Sequence, residues 1–397
     1  MRSSSDRFLP YSRQQVSSED IQSVVAVLES DFLTQGSCVQ AFEEALADYV
    51  GAKYAVACAT GTAALHLSCL ALGIGAGDKL LTSPITFVAS ANCAQYVGAD
   101  TVFSEIDERT WCLSPELLDE YLRKNLVSVV VPVHFAGHPV DLPSLYALKE
   151  KYGFMMIEDA CHALGSEIGI DRIGSSKLSD MSVFSFHPVK HITMGEGGAI
   201  TTNNKLLYKK LITYRTHGIH KNSDSFINHQ LAFERDGETN PWYYEMSNLG
   251  YNYRITDIQC ALGISQLKKI ETFVCRRREI ANRYNEAFRK IAVAKCPTEL
   301  PGVKHSYHLY TLQIDFSELG KSRNQVMREL RNNNIGSQVL YIPVHLQPYY
   351  ANKYGYRVGD FPISEAYYDR CLSIPLFPDM TDVEVGRVIQ GVKSVLG

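Results

Sequence analysis

Between about Lys53 and Thr202 the apolar positions fall into short, β-branched or aromatic runs: "YAVAC", "KLLTS", "DTVFSEI", "LVSVVVPV", "FMMIED", "MSVFSF" and "GAITT". Amphipathic segments of helical period lie between them, among them "SPELLDEYLRK" and "DLPSLYALKEKYG", the latter closed by Gly153 in a C-cap position. This alternation predicts an α/β domain, a mostly parallel sheet covered by helices on both faces. After about Cys275 the pattern changes. A long charged helix, "RRREIANRYNEAFRKI", leads to the strand "YHLYTLQIDF", the helix "SRNQVMRELRNN", the strand "SQVLYIPV" and a last helix, "TDVEVGRVIQGVKSVLG", opened by a capping box of Thr381 and Glu384. The expected organisation is an arm and helix over residues 1–40 ("SSEDIQSVVAVLES"), a large α/β domain over 41–274 and a smaller α+β domain over 275–397.

Composition narrows the function. The 397 residues carry a net charge of -4 and are 45% hydrophobic, with Lys and Arg scattered rather than striped. That pattern argues against nucleic acid or an anionic membrane as a bulk partner, while leaving room for an anionic ligand held by a few local groups. Ten cysteines at irregular spacing without a C-x-x-C pair, behind a start ("MRSSSDRFLPYSRQQ") that lacks an apolar leader core, point to reduced thiols in the cytoplasm. The most apolar stretch, Ala55 to Gly77, is broken by Thr60, Gly61, His66 and several glycines, too often for a membrane span.

Three constellations carry chemistry. In "ACATGTAALHLSCLALG" a strand ends in Thr60-Gly61-Thr62 and a helix starts at once, a geometry that suits a phosphate but also occurs in any α/β turn. In "MMIEDACHALGSE" a buried strand delivers Glu158 and Asp159 at its carboxyl end, followed by His162. An acid there either meets a cation or caps the next helix, and His162 is equally readable as a core histidine. In "SFHPVKHITMGEGGAI" Lys190 follows a strand by a few residues, with Pro188 stiffening the turn and Gly195, Gly197 and Gly198 leaving room nearby. A desolvated lysine has a lowered pKa and becomes a nucleophilic amine; the alternative is a lysine on a solvated loop. Taken together, an amine, an acid and a phosphate turn at three strand ends match what pyridoxal 5'-phosphate requires.

The ordered set "LTQGSCVQAFEEALADYVGAKYAVACATGTAALHL", "SPITFVASAN", "EDACHALGSE", "SFHPVKHITMGEGGAITTN", "LGYNYRITDIQCALGISQL" and "SQVLYIPVH" resembles the DegT/DnrJ family of pyridoxal-phosphate-dependent nucleotide-sugar aminotransferases, from "PYSRQ" to the last helix. The resemblance implies a fold-type I aminotransferase and a homodimer with shared active sites. It matches Lys190 to the Schiff-base lysine and Asp159 to the partner of the pyridine nitrogen. Ser185 with Thr60, Gly61 and Thr62 matches the phosphate cradle, Phe87 the ring that stacks on the cofactor, and Asn252 a phosphate ligand from the neighbouring subunit. His162 stands where many relatives carry glutamine near the phenolic oxygen. For the nucleotide sugar the corresponding positions are Tyr11, Asp31, Phe32, Leu33, Thr34, Gly61, Ser185, Tyr341, Ile342, Pro343 and Val344. The implied reaction carries an amino group from L-glutamate to C4 of a UDP-linked 4-keto-6-deoxy-N-acetylhexosamine; dTDP-4-keto-6-deoxyhexoses and UDP-4-ketoarabinose are the alternatives within the family. A dehydratase of the same fold carries histidine at the lysine position, so Lys190 favours amino transfer.

Other features stay open at this level. His134 and His138 have the i, i+4 spacing of a metal pair, but Pro139 puts them in a loop expected to line the site, and no third ligand is placed by spacing, so no metal is expected. His187 and His191 flank Lys190 and either tune it, contact substrate, or do neither. "CRRRE" at Cys275 to Glu279 reads as the start of a helix on a solvated or subunit-facing surface, and the tyrosines of "QPYYANKYGY" as a sugar, uracil or dimer contact.

Overall fold

The computed structural model describes residues 7–397, so the first six residues of the expected arm lie outside the described part. All seven apolar runs become strands of one sheet: β1 (Tyr54–Cys58), β2 (Lys79–Thr82), β3 (Asp100–Phe103), β4 (Val129–Val131), β5 (Met155–Asp159), β6 (Met181–Ser185) and β7 (Gly198–Thr202), in the order β1-β7-β6-β5-β4-β2-β3. Strands β2 to β6 pair in parallel, and β7 runs antiparallel to both β6 and β1. The reversal has a local cause. No crossover helix lies between β6 and β7, so the chain turns back directly. The segment that makes this turn carries Lys190.

Alternate residues of each strand enter opposite cores. Leu81, Val130, Met156, Phe184 and Ala199 pack on one face, while Leu80, Val129, Ile157, Val183 and Ile200 pack on the other. Helices cover both faces: α1 (Ser18–Leu28), α2 (Ser37–Val50), α3 (Gly61–Leu72), α4 (Ala89–Tyr96), α5 (Pro115–Leu122), α6 (Leu142–Tyr152), α7 (Lys205–Arg215) and α8 (Asp257–Leu267). Gly153 ends α6 at φ 74°, as its place in the sequence predicts.

Helix α9 (Ile270–Phe288) joins the two cores, so the boundary expected at 274/275 falls inside a helix. Its buried stripe, Phe273, Val274, Arg277, Ile280, Ala281 and Tyr284, has helical period. "CRRRE" is therefore not a helix start, and Arg277 is not on a surface. Burial brings the Arg277 pKa down to about 9, and its Nη1 donates to the carbonyls of Tyr307, His308 and Leu376. Beyond α9, β8 (Ala294–Lys295), β9 (Tyr310–Ile314) and β10 (Cys371–Ile374) form an antiparallel sheet. Helices α10 (Arg323–Asn332) and α11 (Asp382–Leu396) share its core, which also takes in Leu9 from the arm. Thr381 and Glu384 form the expected capping box. "SQVLYIPV" is not a strand. Only Gln338 bridges to Ser373, and Pro343, which lacks a backbone donor, lies where a ladder would continue.

Candidate active site

The carboxyl ends of β1, β5 and β6 open onto one cavity of about 500 Å³. Its lining includes Tyr11, Thr60, Gly61, Thr62, Phe87, Asp159, His162, Ser185, Lys190 and Tyr341, ten of the residues picked from sequence. Parallel strands all end on the same edge, which brings segments more than a hundred residues apart in sequence to one place.

Asp159 closes β5 and is buried. The strand end is pinned by its own backbone, with N–H donating to Pro132 and the carbonyl accepting from His134. Its carboxylate accepts from Ser90 Oγ at 2.6 Å and from the Cys161 N–H at 3.1 Å. Glu158, one residue earlier, faces the other way and takes His134 Nε2 at 2.9 Å. That pairing corrects the expectation for the two loop histidines. His134 is fully buried on Glu158, with Nδ1 accepting from Val140 N, and buried His138 holds the Pro139 carbonyl at 2.7 Å. Neither lines the cavity, because both rings are consumed in holding their own loop.

Lys190 ends a tight turn in which its N–H donates to the His187 carbonyl at 2.8 Å. Desolvation lowers the pKa of its amine, against smaller opposing effects from Cys161 and Asp159. The neutral amine is thus accessible, the form a nucleophile requires. His162 is also held neutral: burial depresses its pKa well below the usual value, and the charges of Lys190 and His191 act in the same sense. Nδ1 accepts from Ala136 N at 3.3 Å, which leaves the ring hydrogen on Nε2, 3.4 Å from the Tyr341 hydroxyl.

Opposite lies the start of α3. Thr60 caps it by accepting from Ala63 N at 3.0 Å, so the first free N–H groups belong to Gly61 and Thr62. A Cβ on Gly61 would stand 2.8 Å from Ser185 Cβ and 3.4 Å from Cys161 Sγ. Helix start and strand end therefore form a corner that only glycine leaves open, with donors directed into it. An aldehyde-bearing pyridine with a phosphate arm fits this donor, acid and amine set.

Several expected residues lie elsewhere. Val344 is a core residue packed with Ala91, Phe103 and Tyr350 rather than a sugar contact, because the turn after Pro343 directs it inward. Ile342, Asp31, Phe32 and Leu33 are exposed and do not line the cavity; Thr34 bridges Thr256, and Pro343 precedes the turn; Asn252, expected at a neighbouring subunit's site, is exposed. His191 is buried with Nε2 3.3 Å from the Ser306 carbonyl, facing the smaller domain, while His187 is exposed on the cavity wall. Of the "QPYYANKYGY" tyrosines, Tyr350 and Tyr354 bond to Asn92 and Asp100 within this chain. Sequence reasoning missed Ser90, Thr86 and Glu196 on the lining. Ser90 sits three residues after Phe87, a helical spacing that could have placed it on the same wall.

The sequence profile of the DegT/DnrJ/EryC1/StrS aminotransferase family matches residues 14–393. Among curated relatives, the spore coat polysaccharide biosynthesis protein SpsC of Bacillus subtilis is 40% identical over 392 residues, 98% of each chain. Among solved structures, Helicobacter pylori PseC, an aminotransferase involved in the biosynthesis of pseudoaminic acid, superposes with TM-score 0.89 at 29% identity, over 98% of this chain and 99% of that one. Streptococcus pneumoniae Spr1654 in its PLP form superposes with TM-score 0.86 at 27% identity, over 98% and 97%. The chain therefore belongs to the DegT/DnrJ/EryC1/StrS family and is a sugar aminotransferase that works with pyridoxal 5'-phosphate.

Proposed function

We propose that the chain transfers an amino group from L-glutamate to C4 of a UDP-linked 4-keto-6-deoxy-N-acetylhexosamine, giving UDP-4-amino-4,6-dideoxy-N-acetyl-β-L-altrosamine. The observation that carries the chemistry is the meeting of Lys190, Asp159 and the Gly61–Ser185 corner in one cavity. The likeness to PseC over nearly the whole chain supports the choice of sugar. The 40% identity to SpsC, named for spore coat polysaccharide biosynthesis, favours a second reading in which the chain serves another polysaccharide through a different 4-keto nucleotide sugar.

In this reading the N–H groups of Gly61 and Thr62, with the Ser185 hydroxyl, hold the phosphate of the cofactor. Phe87 would cover the ring, and His162 would donate from Nε2 to its phenolic oxygen. Asp159, kept in place by Ser90 and the Cys161 N–H, would hold the protonated ring nitrogen. The bound cofactor supplies an electron sink for the bond that Lys190 helps to break. Lys190 takes the proton from the donor carbon at Nζ and returns it, which a neutral amine does as base and then as acid. Glutamate and the keto sugar use the same cavity in turn.

The site is completed by a second copy of the chain. Asn252, exposed and bridged to Thr216, would serve the partner's cofactor phosphate, a role supported by its exposure and by its absence from the lining of this chain's own cavity. The test of substrate is mass analysis of products after incubation with glutamate and a panel of 4-keto nucleotide sugars. Turnover of a dTDP sugar with none of the UDP-linked N-acetylhexosamine would refute the sugar assignment. The test of the site is Lys190→Ala, which is expected to abolish both transamination and the visible band of the lysine-linked cofactor.

A further inference from the structure

We infer that His187 receives the carboxylate of the amino donor. This deepens the reading above and rests on it only in that the donor is an amino acid. Any such donor carries its α-carboxylate on the carbon that yields its proton to Lys190, so the group that recognises it must stand close to Lys190. Aminotransferase cavities need a directed cation or donor for this task, because a carboxylate leaving water without partners costs several kcal/mol, on the order of a buried unpaired charge. Among the described residues the cavity lining holds no arginine. Of its other donors, Ser90 is engaged on Asp159, and Ser185 and His162 serve the cofactor in the reading above. Its acids, Asp159 and Glu196, repel an unpaired carboxylate.

His187 meets the requirement by geometry. It lies on the cavity lining, exposed, and its carbonyl accepts from the Lys190 N–H at 2.8 Å, so the two residues share one turn, stiffened by Pro188. Nδ1 accepts from Val189 N at 3.4 Å, which leaves Nε2 to carry a hydrogen that no other group among the described residues takes up. The diphosphate of a nucleotide sugar is a poorer fit for this position. It is attached at C1, across the sugar ring from the C4 that must reach Lys190.

The test uses the holoenzyme in two half-reactions, each followed by stopped-flow absorbance, and calorimetric binding of glutarate, which cannot react. His187→Ala is expected to lower the second-order rate constant for the amino-acid half-reaction about 10- to 100-fold, the scale of one hydrogen bond to a charged group. The loss should appear in KM rather than in the limiting rate, glutarate should bind correspondingly weaker, and His187→Gln, which keeps a donor, should recover much of both. The keto-sugar half-reaction should fall far less. Equal losses in both half-reactions, or unchanged glutarate binding, would overturn the assignment. A panel of L-amino acids separates the two proposals: if the wild type rejects glutamate but accepts another amino acid, the donor identity fails and His187 is judged on the donor that works.

Discussion

Gly61→Ala tests whether the corner between α3 and β6 holds a phosphate. Gly61 has a helical backbone conformation that alanine adopts without strain, so the whole effect comes from the added methyl. That methyl would lie 2.8 Å from Ser185 Cβ and 3.2 Å from its Oγ, where carbon contacts are optimal at about 3.5–4.0 Å. Ser185 Cβ is anchored to the β6 backbone and cannot swing away, so α3 and β6 must part by several tenths of an ångström. Overpacking of this kind costs about 1–3 kcal/mol. If it is relieved by moving the Gly61 and Thr62 N–H groups, affinity for the cofactor should fall about 5- to 150-fold. The assay is absorbance titration of the cofactor-free enzyme with pyridoxal 5'-phosphate and, in parallel, with pyridoxal, which lacks the phosphate. The phosphate form should lose affinity and pyridoxal should not. Gly73→Ala is the control: at φ 79° with nothing near its Cβ, it should cost about 1–2 kcal/mol of stability and leave cofactor binding alone. Equal loss for both forms in Gly61→Ala, or loss for neither, would refute the phosphate corner.

Ser90→Ala removes one of the two donors seen on the Asp159 carboxylate and should slow transamination about 10- to 100-fold, measured as kcat at saturating cofactor. Seven buried histidines, His66, His138, His162, His191, His305, His308 and His345, have pKa values lowered chiefly by burial. The folded state therefore binds fewer protons than the unfolded chain below about pH 6.5, so stability is full above that value and falls as pH drops, by up to about 1.4 kcal/mol per pH unit per histidine. Urea midpoints between pH 7.5 and 5 should decline steeply, and a flat profile would contradict the burial. Mixing inactive Lys190→Ala with inactive Asn252→Ala should restore activity, because in a mixed dimer one site then has both residues intact. No recovery after subunit exchange would show that Asn252 does not act in the partner's site.

The strand runs and the chemistry at their ends were legible in the sequence because both are local. A β-branched run followed by a tight turn means the same thing wherever it lies, and all seven such runs entered the sheet. The lysine, the acid and the glycine turn could be picked out by the same logic, since each needs only its neighbours to look unusual. What failed was judging charged residues by composition. "CRRRE" looked solvated, yet Arg277 falls on the buried stripe of α9, at a position the 3.6-residue period marks when the helix is traced back to Ile270. His134 and His138 looked like residues lining the site, and burial against Glu158 and the Pro139 carbonyl used them instead. Val344 looked like part of a binding segment until the turn after Pro343 sent it into the core.

The sequence by itself therefore determined the alternating architecture, the large and small apolar cores, and the residues equipped for amine, acid and phosphate chemistry. Tertiary structure alone decided which of them share a cavity, and which way each histidine beside Lys190 faces. His187 and His191 are four residues apart and chemically identical. One stands on the cavity wall and the other packs under the smaller domain, because the turn from β6 to β7 reverses the chain between them. Periodicity records which face of an element is buried, but the direction of a turn is set by what packs on either side of it.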